Sequence, residues 1–298
     1  MTTTRSLGYE TFVTDPVPIS AANPLPNGDR RMFQPTTSTL VYGDRDAMLV
    51  DPPFTDADIE QVAKSVDATG KNLTAIIATH GHGDHWFGTG VLAERFDAPV
   101  VATAGTIAVM HNNTAARPYV WDKLWPGQIP PAAVTAVTVT GNRLTLEGHS
   151  LRLVEVGHTD TEDTSVLHVP DLSLVVAGDA LYNGAHMYVG ESAGGGLDAW
   201  RKAIDTVDSL APAWIVAGHK DKDRDDDAAR IIAETRHYLG DTEEALAQCS
   251  TPTEFFTTML ERHADISYGS TLLWVGAKAL YALRAGADPV EAAVGAWF

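Results

Sequence analysis

At 298 residues the chain can bury a large core, as one domain or as two closely packed halves. A formal net charge of -18 repels phosphate backbones and anionic lipid surfaces, so neither nucleic acid nor a membrane is an expected partner. The single cysteine, Cys249, excludes an intrachain disulfide framework, and 44% hydrophobic with 20% charged residues implies a folded chain.

The leading residues MTTTRSLGYETFVTDP contain no continuous apolar stretch, and no later run has the length of a membrane span, so a cytoplasmic location is expected. Residues 1–36 are rich in Pro, Asn and Gly and read as an irregular segment. TSTLVYGDRDAMLVDPP then gives two apolar runs around Gly43-Asp44-Arg45-Asp46, the pattern of a hairpin. TDADIEQVAKSVDAT opens on a capping Thr55 or Asp56 and places Ile59, Val62 and Val66 on one helical face. LTAIIATH predicts a buried strand by its β-branched run.

In the second half, LRLVEVGH, TSVLHV, LSLVVAGD and AWIVAGH read as strands. A helix with Leu197, Trp200, Ile204, Val207 and Leu210 on one face ends before Pro212. The acidic run Asp221 to Asp227 fits the N-terminal cap of a following helix. Everything after it reads as helical. Strands and helices alternate, which argues for a layered α/β fold. The expected organisation is one domain, with a catalytic core over 37–225 and a helical extension over 226–298.

THGHGDHWFG (Thr79–Gly88) sets three histidines and an aspartate in six positions: His80, His82, Asp84 and His85. His80, His158, Asp179 and His219 each follow a short apolar run, so the fold can gather them at one sheet edge. Neutral imidazoles and carboxylates are ligands for zinc and related divalent ions, and a cluster without cysteine suits an open, catalytic site better than a closed structural one. In an extended segment the i, i+2 spacing sends His80 and His82 to one side, and Gly81 and Gly83 are expected to keep side chains clear of the ion. Asp84 and His85 diverge and can serve a second ion.

THGHGDH, followed in order by VGHT, AGDALY and VAGH, resembles the HxHxDH signature and downstream ligand motifs of the metallo-β-lactamase-fold hydrolases, over roughly residues 38–220. The resemblance implies a four-layer αβ/βα sandwich with additional C-terminal helices. It also implies two divalent ions, zinc ahead of iron, manganese or cobalt. His80, His82 and His158 would hold one, Asp84, His85 and His219 the other, and Asp179 would bridge them. Asp51 would stand behind the ligands.

Within the family, the nearest branches are the lactonases and glyoxalase II enzymes. The implied activity is hydrolysis of a carbonyl ester-type bond by metal-bound hydroxide, a lactone ahead of an ester or thioester. Asp84 would relay a proton, and Tyr182, three residues after Asp179, would donate to the developing oxyanion. The absence of a basic cluster lowers the glutathione-thioester reading. A β-lactam hydrolase and a mononuclear iron enzyme of the persulfide-oxidising kind stand as alternatives. Trp86, Phe87, Tyr119, Trp121, Trp125 and His186 are expected to border the pocket of a small, apolar or aromatic substrate, with residues 117–131 as an aromatic lid. A homo-oligomer is compatible with the sequence.

Overall fold

The computed structural model describes residues 6–20, 23–131 and 134–298. In chain order the first half contains β1 (Gly8–Val13), β2 (Val17–Pro18), β3 (Met32–Phe33), β4 (Thr37–Tyr42), β5 (Asp46–Val50), α1 (Asp56–Thr69), β6 (Asn72–Ile77), α2 (Thr89–Phe96), β7 (Val100–Ala102), α3 (Ala104–Ala116), α4 (Trp121–Leu124) and β8 (Val137–Thr138). The second contains β9 (Arg143–Leu146), β10 (His149–Gly157), β11 (Thr164–Val169), β12 (Leu174–Gly178), α5 (Gly196–Ser209) and β13 (Trp214–Ala217). Then follow α6 (Ala228–Gln248), α7 (Pro252–Arg262), α8 (Ser270–Arg284) and α9 (Pro289–Trp297).

Two large sheets form, ordered β1-β4-β5-β6-β7-β8 and β13-β12-β11-β10-β9, beside a small antiparallel pair of β2 and β3. The first turns parallel from β5 onward; the second is antiparallel except where β12 meets β13. Side-chain alternation then builds the layers. Val41, Met48, Val50, Ala75 and Ile77 face the second sheet, where they join Leu151, Leu153, Leu167, Val176 and Val216 in a buried seam. Their neighbours Leu40, Ala47, Leu49 and Ile76 face the other way, onto Ile59, Val62 and Val66 of α1. On the far side of the second sheet, Val166, Val175 and Ile215 pack against Trp200, Ile204 and Val207 of α5. The result is the expected four-layer αβ/βα sandwich.

The capping chemistry agrees with the sequence. Thr55 accepts from the Asp58 amide at the start of α1, and Asp227 accepts from Arg230 N at 2.8 Å at the start of α6. One difference concerns residues 1–36, where β1 pairs antiparallel with β4 as the first sheet's outer strand. Its side chains are mostly half-buried, so it carries little of the apolar alternation by which inner strands announce themselves. Helix α8 straddles the molecule: Leu272 and Val275 enter the core under the first sheet, Leu273 and Leu280 the core under the second.

Candidate metal centre

The chain delivers its ligands at strand ends. His80 follows β6, a short turn over Gly83–His85 positions Asp84 and His85, Asp179 follows β12 and His219 follows β13. Backbone bonds lock these ends together across the two sheets: Ser165 N and Oγ both donate to Thr79 O, and Thr37 N donates to Gly218 O at 2.7 Å. At Gly218 any side chain is excluded, since a Cβ would lie 2.3 Å from Asp179 Oδ1.

Four groups surround one point. His85 Nε2 lies 3.0 Å from Asp84 Oδ2 and 3.2 Å from Asp179 Oδ1, while His219 Nε2 lies 3.3 Å from Asp84 Oδ2 and 3.2 Å from Asp179 Oδ2. A tetrahedral ion with bonds of about 2.0–2.1 Å separates its ligands by about 3.3–3.4 Å. The expected second site, Asp84, His85 and His219, therefore has metal-site spacing, with Asp179 beside it. Both Asp179 oxygens face these two histidines.

The first site differs from expectation. His80 and His82 converge as the spacing implies, but the third group beside them is Asp160, with Oδ2 2.6 Å from His82 Nδ1 and 3.7 Å from His80 Nε2. The sets of three close, potentially metal-holding atoms among the described residues include His80, His82 and Asp160, and none includes His158. The His158 ring lies against Gly196, with Nδ1 3.0 Å from Glu162 Oε1.

Partners behind the ring nitrogens fix which nitrogen faces inward. Pro35 O only accepts, so His219 donates Nδ1–H to it at 2.7 Å and keeps the Nε2 lone pair for the site. Asp51, buried, takes the Thr79 amide at 2.8 Å and the Thr79 hydroxyl at 2.7 Å; that hydroxyl then accepts from His80 Nδ1 at 3.0 Å and leaves His80 Nε2 facing in. This places Asp51 behind the ligands, 3.7 Å from His85 Nδ1. His82 Nε2 meets Glu191 Oε1 at 3.1 Å, and the other Glu191 oxygen accepts from Thr161 Oγ1.

Burial and the facing charges set the electrostatics of the cluster. Burial alone would lower His219, but Asp179 and Asp84 raise it to about 9, and the same two carboxylates lift His85 well above its usual range against the cost of burial. Burial takes His80 down to about 4 despite Asp160, and takes Asp51 up to about 6 despite His85 and Thr79. Asp84 and Asp179 resist burial and stay far below the carboxylate norm because His85 and His219 face them.

Several expected pocket residues lie elsewhere. Trp86 and Phe87 have no exposed surface: Trp86 donates to Gly81 O at 2.9 Å, and Phe87 packs edge-on to Trp121. Trp121 and Trp125 stack on each other and close an aromatic cluster with Phe33 and Phe54 beneath the first sheet, so they are core and not lid. Tyr119 is 61% exposed. His186 is buried, with Nδ1 3.1 Å from the Tyr238 hydroxyl, beneath the C-terminal helices. Tyr182 donates a hydrogen bond to Asp179 Oδ2 at 2.7 Å, a different use from the oxyanion bond expected of it. The crowding at Gly81 and Gly83 also differs: added Cβ atoms would strike Val109 and Phe87.

Sequence reasoning missed Asp160 and Glu191. A signal existed for the first, since an acid two residues after VGH sits in the same loop; Glu191 lies in an irregular stretch with no pattern to mark it. The donors fit divalent ions: His80 Nε2, His85 Nε2, His158 Nε2 and Asp179 Oδ1 are buried and have no hydrogen-bond partner, which is rare unless a cation satisfies them.

Comparisons with known proteins bear on the family and the fold. The sequence profile described as Metallo-beta-lactamase superfamily matches residues 31–219. A metallo-beta-lactamase family protein from Thermus thermophilus superposes with a TM-score of 0.62 at 18% identity, covering 94% of this chain and 96% of that one. A metallo-beta-lactamase from Pontibacter korlensis gives 0.58 at 16% identity, covering 79% and 95%. Over 79 residues the chain is 32% identical to exodeoxyribonuclease YycJ of Bacillus anthracis, a stretch that is 26% of this chain and 30% of that enzyme.

Proposed function

Because the chain belongs to the metallo-β-lactamase superfamily, we propose that it is a dinuclear metal-dependent hydrolase of a neutral carbonyl ester, a lactone ahead of an open ester or thioester, with zinc the first candidate ion. The observation that carries this reading is the set of Asp84, His85, His219 and Asp179 donor atoms at 3.0–3.3 Å separations. Bound divalent ions supply Lewis acidity for a carbonyl oxygen and bring the pKa of coordinated water to about 7.

The chain's own residues supply the rest. Asp84 and Asp179 rest ionised, and one of them, Asp84 first, relays the proton released as water attacks. Tyr182, whose pKa burial and Asp179 push far above its usual value, remains protonated and fixes Asp179 through its hydroxyl. The charge around the site selects the substrate. Glu191, partly exposed, borders His82, Glu162 borders His158, and Lys220, the residue after His219, is tied to Asp226. This surround repels the carboxylate of a β-lactam or of glutathione and admits an uncharged carbonyl compound.

The test is metal content of freshly purified protein, measured with hydrolysis of a neutral lactone, an open ester, a thioester and a β-lactam, with and without chelator. About two ions per chain and chelator-sensitive turnover led by the lactone are expected. A single iron with oxygen uptake and no hydrolysis overturns the reading in favour of the persulfide-oxidising type.

A further inference from the structure

We propose that the cavity bordered by Arg30 and Arg31, which none of the candidate metal ligands lines, binds a small oxyanion, a phosphate group ahead of a carboxylate. The inference is independent of the reaction proposed above. The cavity measures about 600 Å³, and Ser20, Asn23, Gly28, Arg30 and Arg31 are among the residues that line it. None of its lining residues is acidic, in a chain whose acids outnumber its lysines and arginines 39 to 21. A local excess of positive charge is therefore set into an acidic molecule.

Arg31 carries the argument. Only 4% of it is exposed, and its guanidinium is anchored by Nη1, which donates to the carbonyl of Trp297 at the end of α9 at 2.7 Å. Nε is buried with no partner. A guanidinium keeps its charge and presents five N–H donors in a planar fork, so one carbonyl leaves most of it unused. Burial pulls the Arg31 pKa below its ordinary value, with no carboxylate acting against it. A buried charge in that condition is costly, and an oxyanion is the partner that the fork fits.

Other cations join it. Arg30 lines the same cavity, and Lys278 of α8 lies close enough for Arg31 to add to the effect of burial, the two together bringing the lysine down to about 8. Lys278 stands over the Trp274 ring, 5.7 Å from its centroid. The acid next to Arg30 in sequence, Asp29, accepts from Asn27 Nδ2 at 2.7 Å in the turn around Gly28 and does not line the cavity. Three cations favour a dianion over a monoanion, which sets phosphate ahead of a simple carboxylate.

The full chain, metal-loaded and after chelation, is titrated by calorimetry with inorganic phosphate, glycerol phosphate and acetate at constant ionic strength. Wild type is compared with Arg30→Gln, Arg31→Gln and Arg31→Lys. Arg31→Lys keeps a charge and a donor for Trp297, and Arg30→Gln leaves that bond untouched, so the outcome does not depend on one variant folding. About one phosphate per chain is expected to bind after chelation, more tightly than acetate, and each Gln variant to weaken it roughly 10-fold. Glycerol phosphate binding as tightly as inorganic phosphate identifies a phosphoester as the ligand, and its exclusion identifies the free ion. Phosphate binding that disappears with the metal and ignores the arginine variants belongs to the metal centre and overturns the proposal. Absence of saturable binding overturns it as well.

Discussion

Tyr182 donates to an oxygen of Asp179, and that oxygen also lies 3.2 Å from His219 Nε2. A hydroxyl in this position sets the direction of a carboxylate ligand, the role that outer partners of metal ligands commonly fill. Tyr182→Phe is therefore expected to weaken metal affinity by roughly 10–100-fold while the fully loaded enzyme keeps a kcat near wild type. Metal titration followed by steady-state kinetics at saturating metal checks it. Unchanged affinity with a depressed kcat would instead identify a donor to the reacting oxygen.

The segment around α4 shows how the same residues read differently in sequence and in space. Tyr119, Trp121 and Trp125 between prolines suggest a lid, but nothing in one sequence says which way a ring points. Trp125 is fully buried, within 5.4 Å centroid distance of Phe33, Phe54 and Trp121. Trp125→Ala is expected to cost about 3–5 kcal/mol of stability and to leave KM for the best substrate unchanged. Denaturant unfolding beside Michaelis kinetics separates this from a lid, whose loss raises KM and spares stability.

What was legible follows the same division. β-branched runs ending in Thr-His, Gly-His or Gly-Asp predicted β6, β10, β12 and β13, and with them the positions of His80, Asp179 and His219. Glu191 was not legible in its irregular stretch, and the inward path of the 157–161 turn was not because a bulge at Gly157 redirects side chains that strand periodicity would place elsewhere. β1 escaped because an outer, half-buried strand carries little apolar signal.

At the scale of the molecule, the C-terminal helices cover His186. Burial, with the neighbouring His263, holds it down to about 3, whereas an unfolded histidine titrates near its usual 6.5. Its folded pKa is depressed, so the unfolded chain takes up the proton first as pH falls. Stability present above about 6.5 is lost progressively toward about 3. Metal-free protein is expected to melt at a lower temperature at pH 4.5 than at pH 7, with a smaller drop in His186→Asn, whose side chain can still meet Tyr238. Thermal melts of both proteins at the two pH values check this; equal drops would show that His186 does not carry the effect.

The ligands come from the ends of both sheets, and this has a consequence for how the protein is made. The THGHGDH segment leaves the ribosome with the first sheet, while Asp160, Asp179 and finally His219 follow only as the second sheet is translated. Until then the early histidines meet no partner carboxylates from the other half and offer an ion an incomplete grip. With the proposed ligand set, maturation would be tied to the order of synthesis: a chain truncated before β13 would lack His219, so a tightly held second ion would report that translation has passed it.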